Sequence, residues 1–412
     1  MSASAALTAA DPALAAAVRR TTRGQRVRAL LLVAPLLALL LLSFCLPIGM
    51  LLSRAVYDPA THDALPRTAS ALAASPGNGV PDDAVFAALG DDLLAAKQND
   101  SLYSLAKDLN NLVPAARSHV LRMGRYLTNE KPSTRAGFVE ADPFWGEAST
   151  WVAIRSGIHT ITTSYLLAAV DLRWMPDGGI GQVSPDQAIY RTIFARTFGI
   201  ALAVTLITLI LGFPLAWLLA HVPGPLAARL IMLVLLPFWT SILVRTAAWT
   251  VLLQKFGILN EVLLALHIAD HRFDLMYTRT GLIIAMVHIQ LPFTLLPIYS
   301  IMRTISASQM RAAYSLGARP FFAFRRVYLP QVMPGVMAGC LLTFILCLGY
   351  FITPALVGGP ADQLIANFIS NYINVDLNWQ MAGALSCILL VLTLGLFAVF
   401  ARMFGIDRMK LI

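Results

Sequence analysis

Carboxylates are missing from every long apolar run of this 412-residue chain, and charge of either sign is scarce. Asp, Glu, Lys and Arg make up 13% of the residues, against roughly a quarter in soluble domains. With 58% hydrophobic residues and a mean hydropathy of +0.69, this excludes an ordinary soluble globule. Cysteine is equally thin. Cys45, Cys340, Cys347 and Cys387 all fall in apolar runs and never as C-x-x-C, which excludes a disulfide framework or a thiolate metal site and leaves them as packing residues. The phosphate-cradling pattern G-x-x-x-x-G-K-[ST] occurs nowhere, so the chain holds no nucleotide by that route. A net charge of +9 suggests nucleic acid at first sight. The arginines, however, cluster beside apolar runs, where headgroups and topology account for them.

What remains is a polytopic membrane pattern. Residues 1–28 form a tail ending in Arg19, Arg20, Arg23, Arg26 and Arg28 against a single Asp11. Residues 29–52 are long enough to cross a hydrocarbon core, which takes about 20 helical residues. No short apolar region with a small-residue cleavage site is present, so this segment is expected to stay as an anchor, with the tail cytoplasmic. Residues 53–193 have the composition of a soluble insert, acids slightly outnumbering bases, expected outside the cytoplasm. Within it, Asp82-Asp83 should start a helix through Lys97, Ser101 to Leu127 and Ala148 to Leu172 read as two more, and Pro132 to Gly146 as a loop.

Residues 194–404 hold five further spans. Phe194 to Ala220 is expected to break at Pro214, and Leu230 to Leu253 follows as the third span. Gly281 to Ile301 carries Gln290, Pro292 and Pro297, prolines that should break backbone bonds. Gly335 to Val357 should unwind at Pro354 and Gly358-Gly359, and Met381 to Phe400 leads to a basic tail, 405–412. Between the fourth and fifth spans, residues 303–334 hold five arginines, Arg303, Arg311, Arg319, Arg325 and Arg326, and no acid. This cannot cross a bilayer. Gln309 to Leu316 reads as a helix, Gly317 as its left-handed stop, Pro320 as the start of a second helix and Leu329-Pro330 as its end. Phe321, Phe324 and Tyr328, at i, i+3 and i+7, are expected on one face. Counting six spans from a cytoplasmic N-terminus puts every basic cluster inside.

Ala312-Ala313, then Gly317, then Leu329-Pro330 resemble the EAA loop of bacterial ABC importer permeases. The stretch LPFWTSILVRTAAWTVLLQKFGILNEVL resembles the signature of the spermidine/putrescine-type members, with Pro237, Trp239, Ser241, Arg245, Trp249, Gly257 and Asn260 at the family's spacing. FITPALVGGP resembles the outer end of their fifth span. The resemblance implies an all-α polytopic membrane protein: six transmembrane helices in the type I ABC importer permease fold, with a mainly helical extracytoplasmic insert between helices 1 and 2. It implies a non-catalytic, multi-pass subunit of the bacterial inner membrane with both termini cytoplasmic. It further implies a dimer of ATPase subunits that holds ATP and Mg, a second permease forming a heterodimer, a periplasmic solute-binding protein, surrounding lipids, and no cofactor, metal or nucleic acid in this chain. The insert would then cap the transport path or contact the delivery protein, or serve as a spacer.

In that family the loop docks on the ATPase, which implies a coupling role for Arg311, Ala312, Ala313, Gly317, Ala318, Phe321, Phe324, Leu329 and Pro330. Pathway or gate positions would be Trp239, Arg245, Trp249, Gln290, Pro292, Tyr350 and Pro354. Arg245 is the only basic residue well inside a span. It either meets a partner or water-filled cavity, or snorkels to the outer interface between the tryptophans. Two departures stand out: the acid that names the motif is Arg311 here, and the acid usual near position 350 is Tyr350. The implied solute is a polyamine such as putrescine or spermidine; a phosphonate, an opine or another small nitrogenous compound is the alternative. An ion-coupled secondary transporter would carry Asp, Glu or His for coupling inside the spans and often an internal repeat, whereas of these only His288 is found, with no repeat. A membrane enzyme would need a catalytic cluster, and none stands out. His267 and His271, at helical i, i+4 spacing, lack a third metal ligand nearby.

Overall fold

A computed structural model describes residue 29 and residues 31–404, apart from 76, 78, 114, 129–131 and 176. The tails at 1–28 and 405–412 lie outside the described residues. The chain forms two compact units, divided after Arg54.

Lipid cannot pair a free backbone group, so spans must be helices that satisfy themselves. Among the described residues, five helices are long and apolar enough to cross: Leu31–Ser53, Tyr190–His221, Arg279–Thr304, Pro320–Leu348 and Trp379–Arg402. Counting the bent pair Gly224–Trp239 and Ile242–Leu252 as one crossing makes six. In the first unit, the helix carries a wide turn at Leu41–Cys45 just before Leu46-Pro47, and the Leu46 N–H reaches back to Leu41. Proline has no N–H, and its ring crowds the carbonyl four residues back; widening the turn relieves both problems without ending the helix.

The second unit repeats the device at Phe324–Tyr328, ahead of Leu329-Pro330, with the Leu329 N–H bonded to Phe324 O. The expected stop at Leu329-Pro330 is therefore not a stop. The helix runs on through Pro334 to Leu348, so the second helix of the basic segment and the fifth span are one element. Pro214 sits inside an unbroken helix where a break was expected, and Pro292 and Pro297 lie within one continuous helix to which they contribute no N–H. The fifth span packs closely on the fourth around Pro297. A Cβ on Gly339 would stand 2.5 Å from Thr294 O, and one on Gly335 2.8 Å from Pro297 O, so only glycine permits this approach. A buried hydroxyl chain ties the same three helices: Thr294 Oγ1 donates to Thr208 Oγ1 at 2.9 Å and lies 2.6 Å from Thr343 Oγ1.

The third span is not one continuous helix. It bends by 95° between Trp239 and Ile242. Leu236–Trp239 tightens into a 3-10 turn around Pro237, Thr240 is extended, and Ser241 Oγ accepts from Val244 N at 3.2 Å, starting a new helix. The fifth span stops at Leu348, and Pro354 lies in a separate short helix, Ile352–Leu356.

The insert is mainly helical, with boundaries that differ from expectation. The helix from Asp83 ends at Gln98, close to the expected Lys97. Ser101 to Leu127 splits into Leu102–Leu112 and Ala116–Thr128, because Val113 precedes a proline and turns extended, and Ala115 takes φ +69°. Ala148 to Leu172 becomes Ala148–Gly157 and Ser164–Ala168, followed by a hairpin of Leu172–Trp174 on Ile180–Gln182. The expected loop 132–146 holds a helix, Arg135–Ala141, and a 3-10 turn, Pro143–Gly146. That turn buries Trp145 in the insert's core, where Trp151 Nε1 donates to Trp145 O at 2.9 Å and Phe86 meets Phe138 and Trp151 edge-on.

Carboxylates join the insert to the spans. Asp171 accepts from the Tyr190 and Arg191 N–H groups at 3.0 and 2.7 Å, capping the second span from outside its own sequence. Buried Asp58 accepts from Tyr165 Oη and from Gln380 Nε2 at the start of the sixth span, both at 2.8 Å. Nearby, burial and then the charge of Asp58 push the Asp108 carboxyl up to about 6. An acid with a raised folded-state pKa binds more protons folded than unfolded, so stability falls as pH rises from about 4 through 6. Asp108→Asn should therefore raise the melting temperature of the purified protein at pH 7.5 and flatten its dependence between pH 4.5 and 7. A thermal-shift series against pH checks both.

Candidate functional elbow and intramembrane polar cluster

Residues 305–319 form the elbow, and its corner is fixed by backbone chemistry. Ser306 caps the helix Ala307–Ser315, which contains Arg311, Ala312 and Ala313. At the far end Ala318 N bonds to Ala313 O and Gly317 N to Tyr314 O, at 3.0 and 2.9 Å, closing a Schellman motif with Gly317 at φ +81°. A Cβ at Gly317 would touch nothing within 4 Å, so the demand for glycine comes from φ alone. Pro320 then starts the helix that becomes the fifth span.

The three rings expected on one face are divided. Tyr328 is buried, and Phe324 stacks on it at 5.8 Å while meeting Phe213 of the second span edge-on at 6.3 Å. Phe321, in the first turn past the corner, is 75% exposed. The apolar surface of the elbow is instead Leu316, Phe321 and Phe322, with Leu316 at 89% exposure. Leu316 and Phe322 were not singled out from the sequence; an apolar residue directly before a capping glycine was the available signal. A groove of about 550 Å³ runs beside them, lined by Ala313, Gly317, Ala318, Arg319 and Val327. Leu329 and Pro330 sit inside the continuous helix, away from this corner. Among the described residues none of the five arginines of this stretch makes an ion pair.

A second group gathers around the bent third span. Arg245 lies in the helix after the bend, with its guanidinium 5.9 Å from the Phe238 ring centre and its buried Nε lacking a hydrogen-bond partner among the described residues. Trp249, one turn on, donates its Nε1 proton to His288 Nδ1 at 3.1 Å. Arg245 is close enough to His288 and Tyr350 to interact electrostatically with both. Thr246 and Thr353 face each other at 3.1 Å, holding the short helix that contains Pro354 against this segment. The threonines were not foreseen, since a lone hydroxyl in an apolar run has no distinctive spacing. Gln290, 1% exposed, lies beside Cys347, and Tyr350 beside Thr353. Pro292 is buried one turn from His288. Trp239 stands apart, 73% exposed at the bend. His267 and His271 do not share a helix face, because the helix ends at Ala265 and His267 takes φ +55°. Among the described residues no three His, Cys, Asp or Glu side chains group to hold a metal.

Comparison with known proteins gives these features a context. Residues 202–404 match the family described as binding-protein-dependent transport system inner membrane component. The chain is 36% identical over 209 residues to the spermidine/putrescine transport system permease protein PotB of Escherichia coli, spanning 50% of this chain and 75% of PotB. PotB of Haemophilus influenzae is 34% identical over 214 residues, 52% of this chain and 75% of its own length. The inner membrane ABC transporter permease protein YdcU of Escherichia coli is 35% identical over 225 residues, 52% of this chain and 71% of YdcU. The family match covers the elbow and the polar cluster and leaves the insert outside it. On this extent of identity, this chain belongs to the family of binding-protein-dependent transport system inner membrane components.

Proposed function

We propose that this chain, a permease subunit of an ABC importer, moves a small amine-bearing solute of the polyamine class inward, driven by ATP that another subunit hydrolyses. The observation that carries the reading is mechanical. A corner locked by two backbone bonds and one left-handed glycine leads into a helix that continues unbroken across the membrane. A push on Arg311, Ala312, Ala313, Gly317, Ala318 or Phe321 is delivered to the fifth span as a rigid motion. Phe324, packed on Phe213, passes it to the second span, and Leu329 and Pro330 keep the lever continuous. A separate ATPase dimer holds ATP and Mg and drives the elbow from the cytoplasmic side. It biases the bundle between inward-open and outward-open states through its differing contacts with each.

Both termini lie on that same side, and the insert lies outside, where a binding protein delivers solute. Six crossings supply half a pathway, and a second, related but distinct permease completes it. Trp249, Tyr350 and Trp239 offer aromatic faces to an amine, and Arg245, Gln290, Pro292 and Pro354 shape the lining. The relatives named for spermidine and putrescine support this class. With no carboxylate in the spans, selection falls to the delivery protein. Arg245 is the observation that favours a second reading, an importer of an anion-bearing nitrogenous solute such as a phosphonate or an opine.

Two measurements test the function. Uptake of labelled putrescine in cells carrying the complete importer should be outcompeted by unlabelled putrescine or spermidine and left unchanged by a phosphonate; competition by the phosphonate alone transfers the assignment to the second reading. Gly317→Val forces a β-branched residue to positive φ, at about 1–2 kcal/mol of strain. It should reduce solute-stimulated ATP hydrolysis and uptake at least tenfold with normal membrane insertion, whereas Gly317→Asn, which tolerates that conformation, should retain most of both.

A further inference from the structure

The arginines between the fourth and fifth spans are two populations. Arg303 lies in the last turn of Arg279–Thr304. Arg325 and Arg326 precede the end of Pro320–Leu348 by about 33 Å of helix at 1.5 Å per residue, close to a bilayer's hydrocarbon thickness. That length would put Arg325 and Arg326 at headgroup depth, and the helix-end position of Arg303 would do the same. Arg311, inside Ala307–Ser315, and Arg319, just ahead of Pro320, lie on the elbow beyond the spans, and both are exposed. Between them rises the crest of Leu316, Phe321 and Phe322, beside the groove that Arg319 helps to line. No acid occurs anywhere from 303 to 334.

An apolar centre with a charged rim, held on a locked corner, has the anatomy of a protein interface. A bilayer surface makes no use of a fixed angle between two short helices. We infer that the nucleotide-hydrolysing subunit paired with this chain receives the elbow in a groove rimmed by carboxylates, Asp or Glu facing Arg311 and Arg319, and that these two charges select it against ATPases with neutral or basic rims. The inference rests on the importer reading above and names the chemistry of its partner. Leu316 and the phenylalanines supply the buried contact. The guanidinium groups set encounter rate and partner choice, because a like charge placed opposite either one is rejected.

The test uses the full-length permease and its own ATPase, purified from one operon, with binding measured in detergent at about 50 mM and about 500 mM salt, where the screening length falls severalfold. Arg311→Glu and Arg319→Glu together should weaken binding about tenfold at the lower salt, and the difference should nearly vanish at the higher. Exchanging the facing acids of the ATPase for lysine should restore the double variant. Both side chains are exposed, and an unchanged gel-filtration profile of each single variant verifies folding. Undiminished binding of the double variant at low salt overturns the inference. If Gly317→Val still releases the ATPase in that case, the elbow docks by shape alone and the importer reading stands; if it does not, that reading fails as well. Unchanged ATPase binding with reduced retention of phosphatidylglycerol also overturns the inference, assigning the two arginines to the membrane surface.

Discussion

A helix in lipid has nowhere to put an unpaired carbonyl, and that constraint organises the second unit. Prolines 214, 292, 297, 330 and 334 would each interrupt a helix in water, and here each is absorbed. For three of them the means is visible. At Leu329-Pro330 the turn widens, and around Pro292 and Pro297 the neighbouring helices press close enough that Gly335 and Gly339 admit no side chain. The helix from Pro320 to Leu348 is thereby one rigid object with the Schellman corner at one end and the polar cluster near the other.

Polar groups inside this bundle fall into two kinds. Thr208, Thr294 and Thr343 satisfy one another and fasten three helices; their hydroxyls are spent on structure. Arg245, in the helix after the bend of the third span, keeps a buried Nε without a hydrogen-bond partner among the described residues. An unpaired guanidinium nitrogen in such a setting is expensive. Beside Trp249 and His288, that nitrogen sets this segment apart from the threonine chain, whose hydroxyls satisfy one another.

The insert follows the rules of water instead. Its core is built on Trp145, Trp151, Phe86 and Phe138, and its attachment on carboxylates: Asp171 caps a span, and Asp58 is shared between Tyr165 and Gln380. The shared burial that makes Asp58 a good anchor keeps the Asp108 carboxyl up near 6. Stability at this junction is traded for a fixed connection between the insert and the sixth span.

The helical membrane class, the glycine corner of the basic segment and the family it resembles were legible in residue order, because hydropathy and left-handed glycine are local properties. Tertiary structure decided the rest. Whether Pro330 ends a helix depends on what packs beside it, and whether Phe324 faces a partner or Phe213 depends on a neighbouring span. Trp145 lies in a stretch whose proline and glycines read as loop, and it entered the core only because Trp151 and Phe138 were waiting there. The 95° bend falls between the 3-10 turn that holds Pro237 and the helix that Ser241 caps. Local chemistry names the residues; only packing, which joins positions far apart in the chain, settles which of them turn outward.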